Sequence, residues 1–358
     1  MIRFLFRGLL ARACVVGLTA VGLLGASLPA RADYRADEEA RLRTIQDDAM
    51  VGTVGGTAGF LLKQVGGPVL LNDDETYVHD PASAIKVLAH LHSLREVAAG
   101  RDQLFNLMAA YRYPSNPAGS PSSPTLCPNP ADETPSNRES VSLSYGLANM
   151  MQVSDNRMTR AAVLRYGLGP LNALAAHLKM TSTRWDQDLV GCGYLGGKRN
   201  ALTSVDITRL YESVASGQSL SGQARSQFWA LMTAQKIQRG DHLLEIIGEE
   251  ARALGKPAAA GPVAERLVRR WKGGAYNICR TICVVHDIIR EMDGLASIPF
   301  KVGGAIVMKD FAFSVYVADA TAACTGVPCD AADRLQEAMF LTADELLRSV
   351  ISEALKTF

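Results

Sequence analysis

No charge of one sign dominates this chain of 358 residues: 37 lysines and arginines stand against 36 acids. That balance gives no reason to expect nucleic acid or an anionic membrane as a partner. Metal-ligand spacing is missing too. His79, His90, His92, His177, His242 and His286 are scattered, without a partner acid that the sequence identifies, so neither a metal nor another cofactor is expected. No internal repeat divides the chain. Only one long apolar run occurs, at residues 14–28, and it is too short and too soon followed by charges for a membrane span.

That run has the layout of an export signal. Arg3, Arg7 and Arg12 form a charged start without acids, and Ala30-Arg31-Ala32 is a small-x-small cleavage pattern. The mature chain is expected to begin at Asp33, in the periplasm or outside the cell, with an uncleaved anchor as the alternative. Four arginines and no acid leave with the signal, so 33 bases remain against 36 acids, a net charge of −3. Seven cysteines become six: Cys127, Cys192, Cys279, Cys283, Cys324 and Cys329. An even number fits disulfides in an oxidising compartment. The close pairs Cys279/Cys283 and Cys324/Cys329 would each clip a loop and leave Cys127 for Cys192. A four-cysteine zinc site is the rival reading.

The stretch around which the rest is organised is Asp80-Pro81-Ala82-Ser83-Ala84-Ile85-Lys86. Asp80 suits an N-cap and Pro81 the first helical position. Ser83 and Lys86, three apart, then share one helix face. A hydroxyl that attacks a carbonyl needs a base, and a lysine whose pKa is lowered by burial or neighbouring cations can serve. Unpaired N–H groups at the helix start, that of Ser83 included, can hold an oxyanion. If Asp80 caps that same N–H, the donor is occupied.

Around this stretch the spacing predicts a helix over 35–50, then a hairpin of strands 59–65 and 68–71 about a two-residue turn at Gly66-Gly67. A helix is expected over 103–111. Residues 113–140, crowded with Pro, Ser, Asn and Gly, read as a long loop, either a surface insertion or a flap beside the site. Helices follow from 142 to 180, with Met150 and Met151 facing a core, and again over 205–213 and 226–237. Strands are expected at 266–271, 300–308 and 311–317, and a helix over 331–356. Trp185, Trp229 and Trp271 are expected to pack.

Three landmarks occur in order: Ser83-Ala84-Ile85-Lys86, Ser154-Asp155-Asn156 and Lys272-Gly273-Gly274. The trio resembles the motifs of the serine hydrolases that include class A β-lactamases and penicillin-binding proteins. Arg184-Trp185-Asp186-Gln187-Asp188-Leu189 stands where that family has its omega loop. The resemblance implies an α/β two-lobe fold: an antiparallel sheet flanked by helices, from about 51–80 and 262–358, and an all-helical lobe from about 81–261. It implies a monomer that opens a β-lactam or a cell-wall peptide through an acyl-enzyme; a DD-peptidase, an esterase or a catalytically weak binding protein are the alternatives.

Carried over, Ser83 would be the nucleophile, Lys86 the base or part of its relay, and Ser154 the proton donor to the leaving nitrogen. Asn156 would hold Lys86 and a substrate amide, and Lys272 the substrate carboxylate beside Gly273 and Gly274. The N–H groups of Ser83 and Ala275 would form the oxyanion hole. Three positions depart from the family. Gly273 replaces a Thr or Ser hydroxyl, Asp186 a catalytic Glu, and Val190 an Asn, which together threaten turnover of the acyl-enzyme.

Overall fold

Phe60, Leu61 and Leu62 are consecutive and all buried. Successive strand residues face opposite sides, so both faces of the sheet here are covered. The structure, a computed structural model, describes residues 32–115, 129–187, 199–233, 242–280, 285–323 and 330–358. The expected signal and Val190 lie outside them. So do Cys127, Cys192, Cys283, Cys324, Cys329 and the side chain of Cys279.

Helix α1 (Ala32–Met50) precedes strands β1 (Thr57–Gln64) and β2 (Val69–Asp73). Their connection is longer than the two-residue turn expected. Gly66 takes a φ of +69°, but the closing bond runs from Gln64 N–H to Pro68 O at 3.1 Å, and the register slips after Leu62. Proline has no N–H to extend the ladder, so the pairing opens earlier than Gly66-Gly67 alone suggests. A short 3₁₀ turn over Ala82–Ile85 then feeds helix α2 (Lys86–Ala98).

The helix expected at 103–111 is not there. Residues 107–111 form strand β3 (Leu107–Tyr111), paired with β4 (Arg138–Ser142) across the Pro-rich stretch. Leu107 is exposed while Met108 and Ala110 are buried, an alternation of two rather than 3.6. The partner strand lies about thirty residues away in a segment that reads as loop, which hid the pairing.

Helices α3 (Leu143–Gln152), α4 (Asn156–Tyr166), α5 (Leu168–His177), α6 (Ser204–Ala215) and α7 (Gly222–Thr233) follow. Leu88, Leu91, Leu147, Met150, Met151, Trp185, Leu210, Tyr211 and Phe228 fill one core among them. The methionine pair thus packs as expected. Helix α8 (His242–Ala253), absent from the sequence reading, sends Leu243, Ile246 and Ile247 into a different core with Phe60, Met292, Phe311 and Leu347. The short helix α9 (Ala260–Ala264) adds Val263. This part of the interval expected in the helical lobe therefore packs on the sheet.

Strands β5 (Val268–Arg280), β6 (Val285–Val302) and β7 (Ala305–Ala323) complete an antiparallel five-stranded sheet in the order β2-β1-β7-β6-β5. The strand expected at 300–308 spans the β6–β7 turn instead. Gly303 and Gly304 both take positive φ, +57° and +85°, the conformation a tight hairpin needs. The closing helix is broken into α10 (Asp330–Glu345) and α11 (Arg348–Lys356). The buried Arg269–Asp344 ion pair ties β5 to α10. No described helix is long and apolar enough to cross a membrane.

Candidate active site

Ser83 sits inside the 3₁₀ turn, half-buried, three residues before Lys86. In that geometry residues i and i+3 eclipse, so the serine and lysine stand over one another more directly than in an α-helix. Asp80 does not cap Ser83: its Oδ1 accepts the N–H of Ala82 at 3.0 Å. The conflict over the oxyanion donor therefore falls away. Ala82 is held at a φ of +45°, costly for a residue with a Cβ and found where the surroundings dictate the backbone.

Ser154 occupies the loop between α3 and α4, also in the left-handed region at φ +59°. Asp155 caps α4, its Oδ1 accepting from Arg157 N at 2.8 Å, and its carboxylate also meets the Arg157 guanidinium at 3.0 Å. So the middle residue of Ser-Asp-Asn builds the turn. Both polar oxygens of Ser154 face one amine: Lys86 Nζ lies 2.7 Å from its carbonyl, 3.1 Å from its Oγ and 2.5 Å from Asn156 Oδ1.

Lys272 reaches the same hydroxyl from the sheet. Its Nζ is 3.0 Å from Ser154 Oγ and 2.9 Å from Gly273 O. Both ammonium groups are buried. Burial lowers the pKa of Lys272 to about 7. Lys86 is pushed well below the usual lysine range, first by burial and then by the charge of Lys272, with Asp155 opposing. Neutral Lys86 has two N–H donors and one lone pair. The Ser154 carbonyl and Asn156 Oδ1 can only accept, so they take the donors, and the lone pair is left for a hydroxyl proton. This is the arrangement of a base.

Gly274 brings the strand against the serine turn. A Cβ there would lie 2.3 Å from Pro81 O, 2.9 Å from Ala84 N and 3.1 Å from Ser83 N. No side chain fits, so the glycine is required for the approach. Gly273 offers no hydroxyl, and its missing Cβ would instead meet the Trp271 ring at 3.0 Å. Ala275, next along this edge strand, is exposed. Lys272-Gly273-Gly274 lies within β5, which runs six residues further.

Asp186 is placed differently. Its N–H and that of Gln187 each donate to Asn200 Oδ1 at 2.9 Å, and its carboxylate lies 3.4 Å from Arg184. It lines an open cavity of about 400 Å³ with His79, Asp80, Arg184, Arg199, Asn200 and Asp319, among other residues. Ser83 does not figure among the described residues lining that cavity.

Two acids beside the site, Glu291 and Asp293, escaped sequence reasoning, and His79, one of the scattered histidines, turns out to stand beside Glu291; all three are buried. Asp293 is the cross-strand partner of Lys272, and Glu291 that of Gly274, so these side chains share a sheet face. Burial raises the pKa values of both carboxyls well above the carboxylate range, and the neighbouring charge of Glu291 pushes that of Asp293 further up. His79 Nδ1 donates to Tyr77 O at 3.2 Å, which turns the Nε2 lone pair toward Glu291 Oε1, also 3.2 Å away. Protonated, the acids do not compete for the charge of Lys272. Their one sequence signal was two acids spaced by two, and it is legible only once β6 is known to be a strand.

The model of the beta-lactamase enzyme family matches residues 41–264, more than half of the chain. The chain belongs to the beta-lactamase enzyme family. Solved structures agree in fold. A β-lactamase from Chitinophaga pinensis DSM 2588 superposes with a TM-score of 0.59 at 13% identity, covering 88% of this chain and 99% of that one. A beta lactamase from Xanthomonas campestris pv. campestris str. ATCC 33913 gives 0.58 at 18% identity, covering 88% and 98%. A PBP-A mutant, solved as the acyl-enzyme complex with penicillin G, gives 0.57 at 15% identity, covering 88% and 96%. No curated protein matches the chain. For this β-lactamase-family chain, the two-lobe fold expected from its motifs is the fold observed.

Proposed function

We propose that the chain is an exported serine hydrolase that opens a β-lactam or a cell-wall peptide amide by acylating Ser83. The observation that carries this reading is the convergence of two buried amines on Ser154 Oγ, at 3.1 and 3.0 Å, beside the serine turn. Lys86, left neutral by burial, takes the Ser83 proton as the hydroxyl attacks the carbonyl. Ser154 hands a proton to the departing nitrogen and recovers one through Lys86. Lys272 attracts the substrate carboxylate, Asn156 orients Lys86 and a substrate amide, and the N–H groups of Ser83 and Ala275 receive the oxyanion. Gly273 supports the carboxylate less well than a hydroxyl would. Export with cleavage near Ala32 completes the proposal and puts the site where cell-wall peptides are found. Nitrocefin hydrolysis by the purified protein, lost in Ser83→Ala, is the direct test.

Acylation is expected to outrun deacylation. Asp186 is one methylene shorter than glutamate and its carboxylate faces Arg184 at 3.4 Å, a poor setting for aiming a hydrolytic water. A misplacement of about 1 Å costs roughly a hundredfold in rate. Mass spectrometry after mixing with excess penicillin should show a lasting adduct, and Asp186→Glu with Val190→Asn should shorten its life. Rapid turnover without an adduct would refute this account of the loop.

The pH dependence follows from Lys272. The cationic form is the one that attracts a carboxylate, and it is lost as pH rises through about 7. The second-order acylation rate, which reports the free enzyme, should therefore fall above that pH, approaching about tenfold per unit. Lys272→Arg, which stays charged, should remove the fall even if its rate is lower. A fall identical in both proteins would assign the titration to another group.

A further inference from the structure

We propose that the tip of the β6–β7 hairpin is a membrane-binding element that dips into an anionic phospholipid surface. Strand β5 pairs with β6 only as far as Ser297, and β1 pairs with β7 only from Phe311. Past one further main-chain bond, from Val65 N–H to Asp310 O at 2.9 Å, the two strands make ladder pairs only with each other, out to Val302 and Ala305, and close through Gly303 and Gly304. Residues 302–308 read Val-Gly-Gly-Ala-Ile-Val-Met, without a polar side chain, and every one is exposed. Val302 is 54% exposed, Val307 44%, and Ile306 and Met308 42% each. Neighbours in a strand face opposite ways, so Ile306 and Met308 open one face of the ribbon and Val307 the other.

That two-sided exposure selects the partner. A protein groove covers one face of a ribbon and strand addition covers one edge, whereas a lipid interface surrounds the tip. Lysines bracket the apolar run at Lys301 and Lys309, where long cationic side chains reach headgroup phosphates while their stems stay in apolar surroundings. Lys309 is poised at the base, its Nζ 4.3 Å from the Phe300 ring centroid. Asp310, the one acid between residues 300 and 310, accepts instead from Ser297 Oγ at 2.5 Å. The ribbon is also held rigidly. Ile298 and Phe300 are buried at its base, and Lys301 N–H donates to Thr357 Oγ1 at 2.8 Å. A preformed tip loses little conformational freedom on binding. The overall net charge, −3 for the chain from Asp33, is silent about such a local arrangement.

The test is co-sedimentation of the chain beginning at Asp33, free of the leading apolar run, with vesicles of phosphatidylcholine alone or with added phosphatidylglycerol. Binding to the phosphatidylglycerol vesicles is expected, weakened about fivefold by Lys301→Gln and again by Lys309→Gln. Ile306→Asp with Met308→Asp should lower it at least about tenfold, with unchanged melting temperature and circular dichroism because these side chains support no core. Equal sedimentation with and without vesicles would overturn the proposal, as would binding that the tip variants leave intact. A dimer in lipid-free solution that the Ile306→Asp/Met308→Asp protein loses, without any vesicle binding, would make the tip a self-pairing edge instead.

Discussion

Ser83→Ala is expected to leave a folded protein that takes up no covalent label from a fluorophosphonate or from penicillin. The 3₁₀ turn is set by main-chain and neighbouring contacts: Asp80 Oδ1 on Ala82 N, Pro81 O on Ala84 N, and the Gly274 backbone packed against all of it. None of these needs the Ser83 hydroxyl, so its removal should not disturb the elements around it. The loss should be complete rather than partial, because a nucleophile cannot be replaced by positioning. Intact mass and peptide mapping read the outcome. An adduct on another serine, or undiminished labelling of the variant, would sink the assignment.

Lys86→Ala should lower acylation by roughly a hundred- to ten-thousandfold, the usual worth of general acid–base assistance. A loss below tenfold would argue against a base. Alanine alone leaves an ambiguity, since it also orphans the Ser154 carbonyl and Asn156 Oδ1, which Lys86 holds at 2.7 and 2.5 Å. Lys86→Arg separates the two roles. A guanidinium keeps its proton, so it can donate hydrogen bonds but cannot accept the serine proton. If Lys86 acts as a neutral amine, arginine should fail nearly as badly as alanine; if only a cation is needed, arginine should retain much of the rate. Ser154→Ala belongs in the same series. It removes the hydroxyl that both amines share, and a drop comparable to Lys86→Ala would mark the three groups as one unit. Circular dichroism must stay unchanged throughout, since an unfolded variant says nothing about chemistry.

The motif trio made the fold and most of the candidate site legible because each motif is a local solution to a local problem. A cap-and-proline start, a Ser-Asp-Asn turn and a strand with two glycines can be recognised without knowing what they touch. Spacing alone put Ser83 and Lys86 three residues apart, across the junction of the 3₁₀ turn and helix α2. What spacing could not supply was anything that depends on a distant partner. Strand β3 was mistaken for a helix because its mate lies beyond the Pro-rich segment. Most of β6 was missed because strands buried on both faces carry no alternation to read.

The same division holds within the site. Sequence by itself picked out the side chains proposed as nucleophile, amine and hydroxyl, and it carries no excess charge that would direct the chain to nucleic acid. Only tertiary structure decided their electrostatics. Lys86 and Lys272 are ordinary lysines until burial removes the water that would solvate their charge. Gly274 is one glycine among 31 until the serine turn lies 2.3 Å from where its Cβ would be. Glu291 and Asp293 are surface-type residues whose protons matter only because the sheet register sets them beside Gly274 and Lys272. Residue types and short spacings are properties of the chain, whereas pKa, close approach and cross-strand neighbours are properties of contacts, and those exist only once the chain is folded.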